Sequence, residues 1–499
     1  MYSKRFRSVS LLIVVVLLLA ACAPQVVKET VIVTEKEVVK ETVVVTEKEV
    51  VKETVIVTEE KVVEVTPVPV GLPEFDPNKK VTIVVAQPSG WYTEAAIEAF
   101  MKKYPNVTVE IGQPQDASQD EAAFLTRAAT GDVDDVFGGG DESPDMYGPR
   151  GIYIDLKPWL ERDADLWYNA EKFTPWLTYE NPDGAIYSVP IGGNPMLVVY
   201  NKAMLDAAGL EYPPERYDDP AYDQWTWDKF QEYAIALTDP ANDVWGVGIE
   251  NNILVYWPFV YSNGARMVND DLTDYLIDDP KVVETFEFLT GLVLDGYAPD
   301  PASAQEMGGM GNLFTGGQVA MYVVGGWMVG GAWSNAIEDF GFDIGLAALP
   351  YKTTNEGIVL CPAMRQGISS FTEHPEVCYE WLKFLYFESD DLILAADWSP
   401  WQSQIPRHDL FAQRVADGSI VHGAWGPNND QDVEFLLTNH GFPPYVMSDP
   451  PWNGPFPETR DITLAELSLV YSGEQTLDEA VANINSQADM VMLLWQRGK

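Results

Sequence analysis

Apolar and polar positions change rhythm along this chain, and each rhythm predicts an element. The run VTIVVA (81–86) is almost continuously apolar and reads as a buried strand. Thr93 is a cap residue for a helix with Ile97, Phe100, Met101 and Tyr104 on one face, and Pro105 stops that helix before the alternating strand Val107–Ile111. Strand, helix and strand in this order predict a parallel, right-handed β-α-β unit. Further on, Asp279-Pro280 opens a helix with Val283, Phe286, Leu289 and Val293 inside and Gly296 at its end. HPEVCYEWLKFLY carries Val377, Trp381, Phe384 and Leu385 at helical spacing, and Val319–Val324 reads as a strand. Thr476 and Glu479 form a capping box ahead of a last helix bearing Leu477, Val481, Ile484, Ala488 and Val491. From Lys79 onward the class is therefore α/β.

The stretch before this follows a different rule. Residues 26–61 state one twelve-residue phrase three times, as VVKETVIVTEKE, VVKETVVVTEKE and VVKETVIVTEEK. A period of twelve makes the Val clusters wander around a helix, which argues against a coiled coil. Twelve is even, so an extended chain keeps each side chain's parity from repeat to repeat, and the Val, Ile and Thr content suits extended structure. Pro67-Val68-Pro69 closes the stretch stiffly. The repeats read as a stalk, with self-association through β pairing as the alternative.

What precedes the stalk says what it stands on. Lys4, Arg5 and Arg7 lead into an apolar run from Leu11 to Ala21 that is too short to span a bilayer, followed by Cys22. This is the layout of an export signal, and Leu19-Ala20-Ala21-Cys22 resembles a bacterial lipobox, which implies lipidation of Cys22 and an anchor on the outer face of the cell membrane. The two further cysteines, Cys361 and Cys378, enter a compartment that permits disulfides, and bridge and free pair both stay open. No cysteine or histidine spacing supports a metal site, and no cofactor is called for.

Composition adds a constraint on partners. Of the net charge of −45, −44 falls beyond residue 66, so the acidity belongs to the folded body. Such a field disfavours nucleic acid and polyanions and favours neutral or cationic partners. With 499 residues, two lobes are expected, and 16 Trp, 23 Tyr and 20 Phe leave some rings over for a site.

A series of phrases in fixed order then points to a family. After the first strand come EAFMKKYPNVTVEI (98–111), AATGDVDDVF (128–137), GIYIDLKPWL (151–160) and DGAIYSVPIGGNPMLVVYNKAMLDAAGL (183–210). They are followed by TWDKFQEYAIALT (226–238), NLFTGGQVAMYVVGGW (312–327) and SGEQTLDEAV (472–481). Together, over nearly all of 79–499, they resemble the family 1 extracellular solute-binding proteins, relatives of maltose-binding protein. The resemblance implies two α/β lobes joined by a hinge with several chain crossovers, a ligand captured between them, and delivery to the transmembrane subunits of an ABC permease. It places the crossovers near Pro190-Ile191, Phe340 and Asp391–Asp397. The domains expected are 1–22 signal, 23–75 stalk, 76–190 with 341–395 as lobe one, and 191–340 with 396–499 as lobe two.

Ligand-binding candidates come from segments that match the family's ligand loops. Trp91 follows the first strand, Gly138-Gly139-Gly140-Asp141 follows the strand ending at Phe137, and Asn194 lies just past the first crossover. Glycine there permits close backbone approach, and Asp141 can accept hydrogen bonds from hydroxyls. Trp257 beside Tyr256, and Trp327 after Gly325-Gly326, are aromatic candidates; an indole covers the C–H face of a sugar, and Trp327 matches a sugar-stacking position of the family. Trp398, Trp401, Trp425, Trp452 and Arg460 lie in irregular stretches that can also line the cleft. For Trp327 and Trp257 the plain alternative is lobe packing, and for Trp91 it is an exposed aromatic or hinge packing. A secreted glycoside hydrolase is the rival from another class, yet GxSxG, HExxH, Walker A and complete GxGxxG patterns are missing from the sequence. A monomeric receptor for a mono- or oligosaccharide is the preferred reading, with polyamines or cationic peptides as the alternative ligands.

Overall fold

The computed structural model describes residues 72–498 except 86–93, 113–120, 140–142, 169–179, 182, 194–195, 216, 218, 270–272, 326–327, 329–340, 342, 354–362 and 390–455. Cys22, the repeats, Trp91, Asp141, Asn194, Trp327, Cys361, Trp398, Trp401, Trp425, Trp452 and the expected crossovers at 340 and 391–397 lie outside the described residues.

Two sheets organise the body. The first contains β1 (Val81–Val85), β2 (Val107–Ile111), β3 (Val136–Gly139), β4 (Val189–Gly193) and β9 (Ala363–Ile368), in the order β2-β1-β3-β9-β4. β1 runs parallel to β2 from Val81 opposite Val107 to Val85 opposite Ile111, as the β-α-β pattern predicts. The intervening helix Glu94–Lys103 buries Ile97 and Phe100. Phe100 meets Trp381 edge to face at 5.1 Å, so this helix and Pro375–Phe387 share one core. That second helix buries Val377, Trp381, Phe384 and Leu385 as their spacing requires. Cys378 on it is a free, buried thiol 3.6 Å from the Thr372 hydroxyl, which decides the bridge question in favour of a thiol.

The second sheet contains β5 (Met196–Asn201), β6 (Trp245–Gly248), β7 (Val319–Gly325) and β8 (Ile344–Ala347), in the order β6-β7-β5-β8. Around it pack the helices Ile253–Ser262, Pro280–Leu294, Phe456–Tyr471 and Leu477–Gly498. Asp279 caps Pro280–Leu294 by accepting from the Lys281 amide at 2.8 Å, and Gly296 ends it at φ +81°. Val282, rather than Val283, is the fully buried valine of that helix. The capping box is formed: the Glu479 amide donates to the Thr476 hydroxyl and the Thr476 amide to the Glu479 carboxylate. The last helix buries Ala480, Ile484, Ala488 and Met492, a stripe one residue away from two of the predicted positions, Val481 and Val491.

The domain boundaries need one correction. β8 falls inside the span 341–395 expected in lobe one, yet it pairs antiparallel with β5 in the second sheet. Its apolar residues explain this: Ile344 and Leu346 are buried in one cluster with Leu197, Val199 and Phe314, and a Cβ at Gly345 would overlap the Tyr200 ring. Tyr351 and Thr353 still bond the second lobe, through the Trp227 amide and the Ser262 carbonyl. The return to the first sheet therefore falls between Thr353 and Ala363, some way past Phe340. The outward passage falls between Gly193 and Met196, a few residues past Pro190-Ile191.

Candidate functional site

Strand directions fix where a ligand can sit. In the first sheet, β4 ends at Gly193 opposite Ala363, where β9 begins, and the parallel strands β1 and β3 point their carboxyl ends the same way. In the second, Met196 at the start of β5 lies opposite Gly325 at the end of β7; β6 runs parallel to β7, and β8 ends on the same side. Both chain passages thus leave one sheet and enter the other at edges made of strand carboxyl ends. Crevices at such edges, where the connections part, are where open α/β sheets bind ligands.

The second-sheet edge opens into a cavity of about 340 Å³ whose walls include Met196, Asn252, Tyr322, Gly325 and Met328. A second cavity, of about 400 Å³, adjoins it and extends between the helices Pro301–Glu306 and Phe456–Tyr471, where Ser468 and Tyr471 line it. Glu250, Asn252, Gln305 and Met310 line both. Glu250 lies two residues past the end of β6; burial raises its pKa above the ordinary carboxylate value, against the lowering effect of the hydrogen bond that the Tyr322 hydroxyl donates to it. The Asn252 side-chain carbonyl caps the next helix by accepting from the Leu254 amide at 3.0 Å. Neighbouring Asn251 is held on both sides, donating to the Leu464 carbonyl at 2.8 Å and accepting from the Tyr256 hydroxyl at 2.6 Å. Two carboxylates, Glu250 and Asp300, and several amides line these cavities with no lysine or arginine among the described residues. Such walls suit hydroxyl-bearing or cationic ligands and repel anions.

The first-sheet edge presents a different group. Arg365, on β9 opposite Gly139 and Pro190, is 2% exposed and donates from Nε to the Ser188 hydroxyl at 2.6 Å. Gly138 is needed for that pairing, because a Cβ there would overlap the Arg365 carbonyl oxygen. The glycine run therefore serves strand contact at Gly138, where close approach to a ligand was the expectation.

Two of the sequence candidates can be placed. Trp257 is 1% exposed, in a helix, Ile253–Ser262, whose residues are buried all round except Leu254. Trp257 lines neither cavity, and its burial makes it a packing residue in place of the ligand contact expected of it. Arg460 lies on the helix Phe456–Tyr471, lines neither cavity, and donates from Nε to Asp461 at 2.9 Å. Glu250, Asn252, Gln305 and Tyr322 were not singled out by pattern. The available signal was the abrupt polar break Glu250-Asn251-Asn252 between a strand and a wholly apolar helix.

A two-lobed receptor with its site at facing sheet edges is the class this architecture defines. The model of the bacterial extracellular solute-binding protein family matches residues 85–390, and the chain belongs to that family, the substrate-binding proteins of ABC transporters. The maltotriose-binding protein of Pyrococcus abyssi is 21% identical over 355 residues, 70% of this chain and 67% of that one. Among solved structures, an ABC substrate-binding protein from Listeria monocytogenes in complex with cycloalternan aligns with a TM-score of 0.66 at 22% identity, over 83% of this chain and 99% of that one. A solute-binding protein from Agrobacterium radiobacter in complex with ribitol aligns at 0.64 and 15% identity, over 83% and 100%. These likenesses fix the fold as the two-lobed type of the maltose receptors.

Proposed function

We propose that this protein is a membrane-tethered receptor that captures a neutral carbohydrate between its two sheet edges and delivers it to an ABC permease. The observation that carries the reading is the cavity at the carboxyl ends of β6 and β7, walled by amides, a tyrosine and carboxylates without a cation among the described residues. Hydroxyl groups satisfy such acceptors and amides at once, and the adaptable apolar side chains Met196 and Met328 can meet the C–H faces. The named ligands of the relatives, a trisaccharide, a cyclic saccharide and a polyol, are of the same chemistry. Strong overall acidity supports a neutral ligand over an anionic one.

On this reading Trp327, two residues past the end of β7, and Asn194, between β4 and β5, border the cleft, as do Trp91 and Asp141 after β1 and β3. Trp398 and Trp401 stay as further candidates, and Arg460 as a more distant one. Lipidated Cys22 is the anchor and the repeats are the spacer. The protein binds and does not cleave: incubation with saccharides leaves them intact. A thermal-shift panel of sugars, polyols, polyamines and amino acids tests the reading, because a ligand bound to the native state alone raises the melting temperature by mass action. Stabilisation by saccharides or polyols supports it; a response confined to polyamines moves the protein to the cationic-ligand alternative. Glycan products in the incubation would move it to the hydrolases.

A further inference from the structure

The repeats carry a pattern that a plain spacer does not need. In an extended chain alternate side chains face opposite sides. From Val26 to Glu59 every Lys and every Thr stands at an even position and every Glu at an odd one, so one side holds Lys, Thr and aliphatic residues and the other Glu and Val. The even period keeps this division through all three copies, and the order reverses only at Glu60-Lys61. We propose that the stalk is an interface between copies of this chain, in which stalks anchored side by side pair as parallel strands staggered by one residue. The proposal rests on the anchor at Cys22 proposed above.

Three observations carry it. The first is register. Chains anchored by their amino ends to one membrane face leave it in the same direction, which makes the pairing parallel. In-register pairing sets Lys against Lys and Glu against Glu at every charged position, and like charges directly opposite are destabilising. A stagger of one residue reverses this: Lys28, Lys36, Lys40, Lys48 and Lys52 of one copy each meet the Glu that follows them in the other, and Glu35 and Glu47 meet Lys36 and Lys48. A single like pair, Glu59 with Glu60, is left in the repeats. A stagger of two loses these matches, since each of those Lys then meets Thr or Val and Glu35 meets Glu37. The second observation is where the charge lies. The bodies, with −44 beyond residue 66, repel one another, whereas residues 23–66 hold six Lys against ten Glu and carry nearly all the cations a copy can offer before the body begins. The third is where the stalk meets the body. Phe75 packs edge to face on Tyr104 at 4.8 Å, and the Asn106 side chain donates to the Pro77 carbonyl at 3.2 Å. Tyr104 and Asn106 come just before β2, so the chain enters at the amino ends of β1 and β2, the far end from the ligand edge. Paired stalks thus leave the ligand edges unobstructed. A two-stranded pair is marginal by itself, so the pairing belongs to the membrane surface, where anchoring raises the effective concentration, and the chain stays monomeric in dilute solution.

Cross-linking of the full chain in isolated bacterial membranes tests this. Thr42→Cys and Val43→Cys, each on a Cys361→Ser background that leaves only the buried Cys378 thiol, are produced alone and together and treated with a short thiol cross-linker. The stagger puts residue 42 of one copy opposite residue 43 of the other and sets two residues 42 on opposite faces of the pair. The mixture should therefore give a dimer adduct well above that of either variant alone. Adding Lys40→Glu and Lys48→Glu to both chains should lower the adduct roughly tenfold, because two cross-strand attractions become repulsions. Keeping those two changes in the Thr42→Cys chain and placing Glu41→Lys and Glu49→Lys in the Val43→Cys chain should restore it. Thermal shifts with ligand should be the same in all variants. Equal adducts from the single variants, charge changes without effect, adducts to another protein alone, or no adduct from chains found in the membrane fraction would each overturn the proposal and leave the anchor standing. Chains found only in the soluble fraction would overturn the anchor and the pairing together.

Discussion

The two lobes hold their shape by similar means and present different chemistry at their facing edges. In the first, rings lock the helices together, with Phe100, Trp381 and Phe384 in mutual contact and the Trp167 indole donating to the Tyr379 hydroxyl at 2.9 Å. Its edge carries a buried guanidinium, Arg365, tied down by Ser188. In the second, the edge opens into two adjoining cavities lined by carboxylates and amides. Among the described residues, then, the first lobe keeps its cation buried behind the strand pairing and the second opens a polar trough. Hinge-linked receptors bring two such walls onto one ligand, and the division says which lobe reads the ligand's shape.

The sharpest way to break that division is at Trp257, which belongs to the second lobe's core. Trp257→Ala should cost about 3–5 kcal/mol of stability, the scale for truncating a buried aromatic ring. Ligand affinity of the folded fraction should be unchanged. Chemical denaturation with and without saccharide separates these; intact stability with lost affinity would return Trp257 to the cleft.

Gly138→Ala tests the first lobe. Its Cβ meets the backbone of β9 rather than a flexible side chain, so the strand pairing behind Arg365 must shift, at a cost of about 2–3 kcal/mol. Urea unfolding should show the loss, and a neutral outcome would mean that the β3–β9 contact is looser than the register implies.

Acidity distinguishes the lobes more gently. Glu215, in the second, is pushed up to about 7 by burial, with Lys202 lowering it and Asp219 raising it further. A carboxyl with a raised native pKa destabilises the fold as pH rises from its ordinary value of 4.5 through 7, and the cost is complete above that. Glu215→Gln should therefore stabilise by about 1–2 kcal/mol at pH 8, after allowance for partial solvation, and by nothing below pH 4 or so. Asp163, in the first lobe, behaves oppositely. Burial raises it, but hydrogen bonding from Arg162 and Tyr379 and the charge of Lys383 prevail and hold it below the ordinary 3.8. Its stabilisation is present above that value and is lost as pH falls through the lower native pKa, so Asp163→Asn should cost about 1 kcal/mol at pH 7 and nothing in strong acid. Unfolding curves at several pH values check both, and parallel curves for wild type and variants would contradict them.

These contrasts also show what can be read from sequence. Local rules worked where a local pattern decides: β1, β2 and β7, the Asp279 cap and the Thr476–Glu479 box are formed as written. β8 was misassigned because IGLA pairs with either sheet by pattern, and only the tertiary partners Leu197 and Phe314 choose between them. Trp257 was misread for the opposite reason, since the run ILVYWPFVY is apolar on all sides and spoke for burial. Glu250 and Asn252 share the loop after β6 while Gln305 comes from a short helix, and no spacing links that helix to the loop until β6 and β7 bring their carboxyl ends to one edge.

Capture between the two edges is the centre of this account, and hydrogen exchange with and without the best-stabilising saccharide tests it most directly. Protection should appear together in peptides covering 248–252 and 322–328 of the second lobe and 137–142 and 363–366 of the first. Protection confined to one lobe at saturating ligand would contradict the account, because it would place the ligand on a single wall instead of between two.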